Sequence, residues 1–169
     1  MNARITPIFI VVILGVTACG KESTSLPETP EARFERLGRQ VYDSYCVTCH
    51  QPGGQGIPGS FPPLDQTQWV VGDKGRLIRL ILNGMQGSVE VKGELYDNVM
   101  NGHAFLSDEL VAAVLTHVRS TFGNEAGPVS PDEVAAVRAA SEKEGLWEAR
   151  ELVSMTGVPG AEESGSQEE

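Results

Sequence analysis

Cys46-Val47-Thr48-Cys49-His50 sets two thiols and an imidazole within five consecutive residues. A C-x-x-C-H run reads as an attachment site for c-type haem. The two thiolates add across the haem vinyl groups as thioethers, and the adjacent histidine meets the iron as proximal ligand. A gap of two residues keeps both sulfurs on one turn of backbone, which suits neighbouring vinyl groups. A zinc site would need a second ligand pair, and Cys19 is the only other cysteine. A thioredoxin-like dithiol would sit in a βαβ setting and make no use of the histidine. The cofactor expected is one haem c, bound covalently through Cys46 and Cys49, with His50 on the metal.

The motif leaves the sixth position of the iron unassigned. Methionine or histidine there favours electron transfer, and an open position favours ligand chemistry. The candidates downstream are Met85, Met100, His103, His117 and Met155. Met100 stands out by place, in the loop Tyr96 to Gly102 just ahead of a strong helical pattern, where a loop can fold over the face opposite His50.

Residues 1–18 carry Arg4 and then a short apolar run, Ile8 to Val16, ending in small residues, which is the pattern of an export signal. The run is shorter than the ~20 apolar residues a membrane span needs. Val16-Thr17-Ala18-Cys19 resembles the bacterial lipobox, whose cysteine becomes the lipidated N-terminus. With Cys46 and Cys49 committed to haem, Cys19 has no disulfide partner, and an exported chain seldom keeps a free thiol. The expectation is an exported protein on the periplasmic side, lipid-anchored to a bacterial membrane through Cys19. Residues 19–30, rich in Ser, Thr, Pro and Glu, would be a flexible tether.

The 169 residues carry 13 basic and 23 acidic side chains, a formal net charge of −10. From Glu31 to Gly123 there are eight basic and ten acidic residues, and from Asn124 to Glu169 three and eleven. The acidity therefore belongs to the C-terminal extension. That sign disfavours a nucleic-acid partner. It suits either a solvated tail or an acidic surface for a basic redox partner. Gly157 to Glu169 has almost no apolar content and is expected to be disordered.

Between the ends the pattern is helical. Thr29 caps and Pro30 starts a helix through Tyr45, with Phe34, Leu37, Val41 and Tyr42 at helical spacing. Residues 73–83 form a second helix closed by Gly84. Residues 87–96 alternate polar and apolar, as in a small hairpin or an extended loop. Ser107 opens a helix through Phe122, and Ser130-Pro131-Asp132-Glu133 is a capping box opening another to about Ser141. Beyond it, Leu146, Trp147, Leu152 and Val153 either wrap back onto the preceding domain or dock a partner. The fold class expected is all-α: helices packed around one haem, with a short helical extension. The divisions are residues 31–124 for the haem domain, 125–156 for the extension and 157–169 for the tail.

Residues 31–124 resemble the class I c-type cytochromes. Gly38-Arg39-Gln40-Val41-Tyr42 is similar to their N-terminal helix, Phe61-Pro62-Pro63-Leu64 to the segment after the haem motif, and Leu106 to Thr116 to their C-terminal helix. The resemblance implies that the Pro62 carbonyl accepts a hydrogen bond from the proximal histidine, that Leu64 lies on the haem, and that Met100 is the distal ligand. It implies a one-electron carrier, not itself catalytic, serving redox protein partners in a respiratory or periplasmic chain. Two departures stand out. Asn101 follows Met100 where the family usually has proline, and His117 occupies a place usually held by an aromatic such as tyrosine. The first keeps open a haem enzyme or sensor with a displaceable sixth ligand, with His103 and Met85 as other ligands. A cytochrome subunit of a larger dehydrogenase or reductase complex is the remaining alternative. Arg76 and Arg79 are candidates for pairing with haem propionates, and residues 53–59 and 85–88 for the rim of a docking face.

Overall fold

A computed structural model describes residues 28–155 and residue 157; the lipobox with Cys19, the signal, most of the tether and nearly all of the tail lie outside the described residues. The elements run α1 (Pro30–Tyr45), α2 (Val47–His50), α3 (Gln68–Val71), α4 (Lys74–Asn83), β1 (Gly84–Gln86), β2 (Val89–Val91), β3 (Glu94–Tyr96), β4 (Met100–Asn101), α5 (Asp108–Ser120), α6 (Pro131–Ala140), β5 (Trp147–Glu148) and α7 (Ala149–Ser154). Among the described residues no helix is long and apolar enough to cross a membrane.

The helix boundaries follow from local chemistry. The Thr29 hydroxyl accepts from the Ala32 amide, with Pro30 at the first helical position, where its missing N–H costs nothing. Asp73 caps α4 and Ser107 caps α5 in the same way. In α6 the Ser130 and Glu133 side chains each bond the other's backbone N–H. Helix α5 ends at Ser120, two residues short of the expected Phe122, because Phe122 (φ 56°) and Gly123 (φ 77°) are left-handed.

The framework is the crossing of α1 and α5. Gly38 makes it possible: a Cβ there would lie 2.3 Å from the Ala113 carbonyl oxygen. Tyr42 packs at the same crossing, 2 % exposed, with His117 and Phe122 around its ring. His117, in the place the family usually gives to an aromatic, thus lies in the interhelical contact, and its Nδ1 is buried without a partner among the described residues. Burial, helped by repulsion from Arg39, lowers its pKa against the opposing pull of Asp43 and Glu35, so the ring is neutral in the fold. An unfolded chain would take up the proton first as pH falls. The stability is thus complete above about pH 6.5 and is lost as pH drops through it towards the folded value. Substituting His117→Phe is expected to narrow the gap between urea midpoints measured at about pH 7.5 and about pH 5. An unchanged gap would assign the acid sensitivity to other groups.

Strands amend the all-helical expectation. Gly84 (φ 76°) ends α4 and turns the chain directly into β1. Lys92 and Gly93, both at positive φ, form the two-residue turn that pairs β2 with β3. A second sheet has the order β4-β1-β5, antiparallel on one side and parallel on the other. Both sheets are small, and each contributes residues to the wall of the cavity described below.

The extension packs onto the body. Val129, Val134, Val137 and Leu152 are at most 1 % exposed within the common core. Arg138 reaches Asp108 (2.8 Å) and the carbonyls of Ala104 and Leu106 (2.9 Å each). Asn124, 3 % exposed, joins the last turn of α5 to the loop after the cysteine motif. Its side chain accepts from the Gln66 amide (2.5 Å) and donates to the Leu64 (3.1 Å) and Val118 (2.7 Å) carbonyls. Asn124→Ala would strand three backbone groups, at a cost of about 2–3 kcal/mol. A denaturant titration reads this directly, and a loss below about 0.5 kcal/mol, ordinary for a surface site, would refute the role.

Candidate functional site

Helix α1 delivers the cysteine motif to a largely apolar cavity. Cys46 caps α1, and the single turn α2 continues from it, with the Cys49 and His50 amides donating to the Cys46 carbonyl at 3.2 and 2.9 Å. That turn places Cys46, Cys49 and His50 on the wall of one cavity of about 210 Å³. Burial, followed by the neighbouring Cys49, pushes the Cys46 thiol up to about 11.

His50 is 9 % exposed, and its Nδ1 lies 3.0 Å from the Pro62 carbonyl oxygen. A carbonyl only accepts, so Nδ1 carries the proton and Nε2 keeps its lone pair. Burial lowers the pKa of the ring against the opposing Pro62 bond, which keeps it neutral and able to ligate. The loop that supplies Pro62 is itself pinned. The Ile57 amide donates to the Phe61 carbonyl (2.8 Å) and the Leu64 amide to the Gly54 carbonyl (2.7 Å). Gly56 (φ 65°) passes so near that a Cβ would meet the Phe61 oxygen at 2.2 Å.

Met100 and Leu64 line the same cavity, and so do Met85 and His103. Three of the five sixth-ligand candidates are thereby brought together. His117 and Met155 are not on the cavity wall. Met85 is buried, 7 % exposed, so it belongs to the wall and not to the rim expected for residues 85–88. The propionate expectation for Arg76 and Arg79 is corrected. Arg76 lies over the Trp69 ring (4.9 Å) and donates to the Gln68 carbonyl, Arg79 donates to the Gly157 carbonyl, and neither lines the cavity.

The remaining wall is apolar, with Leu77, Leu80, Ile81, Val114 and Leu115 from the helices. The β2–β3 hairpin adds Val89, Val91 and Tyr96, a contribution that alternation suggested but could not aim. It is tied down by a Lys92–Asp65 ion pair and by Asn98, which donates to the Ser60 carbonyl at 2.9 Å. Two polar wall atoms, Thr67 Oγ1 and His103 Nδ1, are buried with no partner among the described residues. A flat apolar macrocycle with carboxylate arms fits such a cavity: hydrocarbon walls, two thiols and an imidazole at one place, and unused donors elsewhere. Thr67 carries no motif, and only its burial reveals it. Arg119 was also missed. It is 4 % exposed on the apolar face of α5, with its guanidinium on the carbonyls of Val70, Gly72 and Gly127.

Comparison with known proteins agrees with this geometry. A family model described as cytochrome c matches residues 36–122. Cytochrome c-552 of Thermus thermophilus is 41% identical over 111 residues, covering 60% of this chain and 84% of that protein. A second cytochrome c-552 of the same species is likewise 41% identical over 111 residues, 60% of this chain and 74% of its own length. A fructose dehydrogenase cytochrome subunit of Gluconobacter japonicus is 30% identical over 109 residues, 60% of this chain but 22% of that protein. The chain belongs to the cytochrome c family, and its cofactor is a covalently bound c-type haem of the kind held through two cysteines.

Proposed function

We propose that this protein is a single-haem, one-electron carrier, with His50 as proximal and Met100 as distal ligand. The observation that carries the reading is the meeting of His50, oriented by the Pro62 carbonyl, and Met100 on one apolar cavity. Haem supplies reversible one-electron chemistry when bound. The protein's own part is to hold and tune. Cys46 and Cys49 tether, and the Pro62 carbonyl fixes the His50 ring and makes Nε2 a stronger donor. The helix and hairpin side chains keep water from the cavity, and a thioether at the sixth position raises the reduction potential. Met100 is preferred to its neighbours because His103 is engaged with the rings of Tyr45 and Phe105, and Met85 lies in the middle strand of its sheet.

The chain is exported and held at a bacterial membrane by lipid on Cys19, which raises its local concentration near membrane redox partners. Replacing Cys19 with serine is expected to move the protein from the detergent phase to the aqueous phase of extracted membranes, and unchanged partitioning would exclude the anchor. The carrier reading itself is tested by adding carbon monoxide to the ferrous holoprotein. An unaltered spectrum supports a closed sixth position. Ready binding would transfer the protein to the haem enzymes and ligand sensors. The likeness to a dehydrogenase's cytochrome subunit supports a second reading, a subunit in a larger complex, for which co-purification with a dehydrogenase would be the sign.

A further inference from the structure

The sheet bearing Met100 is completed from outside the family-matched residues 36–122. Met100 in β4 stands opposite Met85 in β1, and Met85 stands opposite Trp147 in β5. Residues directly opposite on neighbouring strands project from the same face. Met100, Met85 and Trp147 therefore form one row across three strands, with Met85 7 % and Trp147 8 % exposed. Strand β4 has two residues and β1 three. A pair of such short strands is marginal by itself, and a third strand with packing behind it is what makes it hold.

That third strand is firmly held. Gln86 donates to Glu148 across the β1–β5 pair at 2.6 Å. The Asn83 side chain donates to the Lys143 and Gly145 carbonyls at 3.0 and 3.3 Å, which fixes the approach to β5. The Lys143 ammonium lies over the Trp147 ring at 4.8 Å. Helix α7 follows at once and buries Leu152 completely.

We infer that the C-terminal extension is a positioning element for the distal ligand: Trp147, acting through Met85, holds the strand that aims the Met100 sulfur into the cavity. The inference rests on Met100 being that ligand. It also accounts for Asn101, since a strand clamped from its far side does not need proline after the methionine to stiffen it. The extension's role is local, at the sulfur, and separate from any general gain in stability.

The test uses full-length holoprotein with Trp147→Ala and, as a milder change that keeps the site apolar, Trp147→Leu. The readouts are the weak long-wavelength ferric band that reports sulfur on iron and the rate of carbon monoxide binding to the ferrous form. Well below the unfolding temperature, Trp147→Ala should lose a measurable part of the band and bind carbon monoxide at least tenfold faster than the unaltered protein. Trp147→Leu should fall between. Val153→Ala, at a residue of α7 that is 60 % exposed and off the cavity wall, should behave as the unaltered protein. If both Trp147 variants merely melt earlier, with the band and the carbon monoxide rate unchanged while folded, the extension is structural and the inference is overturned. Should Trp147→Ala fail to yield holoprotein, Trp147→Leu decides by the same two readouts. Met100→Ala is the control for the underlying reading. Survival of the band in that variant would overturn both, by way of the ligand and not of the extension.

Discussion

Met100→Ala is expected to yield a folded holoprotein whose reduction potential falls by on the order of tenths of a volt, within the ~0.8 V range that axial ligands command. Thioether ligation favours ferrous iron because the soft, neutral sulfur stabilises the electron-rich state, so its removal lowers the potential. The same variant should bind carbon monoxide when ferrous and lose the ferric sulfur–iron band. Folding should survive, because Met100 is only half-buried at the edge of its sheet while the α1–α5 framework lies elsewhere. Spectroelectrochemical titration beside the unaltered protein gives the answer. An unchanged potential and spectrum would hand the sixth position to Met85 or His103, which share the cavity wall.

Gly38→Val is the second large effect, and it acts on the framework. Even the first added carbon would sit 2.3 Å from the Ala113 carbonyl oxygen, 2.8 Å from its carbon and 2.9 Å from His117 Cβ. The obstacle is backbone, so no rotamer relieves it and the two helices must separate. Overpacking costs typically 1–3 kcal/mol and more when the neighbour cannot yield, so a loss of about 3 kcal/mol or greater is expected. For a chain of this size that lowers the melting temperature by roughly 10 °C. Shortening the facing side chain with Ala113→Gly should give no rescue, because the clash is with the carbonyl group. A melting temperature within about 2 °C of the unaltered protein would refute the close approach.

The four longest helices were legible because their signals are local. Thr29-Pro30, Asp73, Ser107 and the Ser130–Glu133 box each cap within one turn, and Gly84 stops α4 where the pattern implied. The cysteine motif was legible for the same reason, since its chemistry is written in five consecutive residues. The sheet was not. Alternation over residues 87–96 did point to the β2–β3 hairpin, but β1, β4 and β5 lie outside it, and the β1–β5 pairing joins segments with no shared local signal. Thr67 and Arg119 escaped because burial, not residue type, makes them notable. The arginine assignments failed on direction. Helical spacing places Arg76 and Arg79 near the site in sequence but does not say which carbonyl each side chain will find.

The pairing of β1 with β5 also sets an order of assembly. Its partners are 62 residues apart in the chain, as the Gln86–Glu148 contact shows. Closing so long a loop costs entropy before the contact repays it, so distant pairings form late in folding. Cys46, Cys49 and His50 lie within a single turn and emerge first from a chain made from its N-terminus. The turn that carries the proximal residues can therefore form before the long-range pairing that braces β4. The two sides of the cavity thus rest on contacts of very different reach, the cysteine motif on a single turn and the Met100 sheet on a partner 62 residues further along the chain.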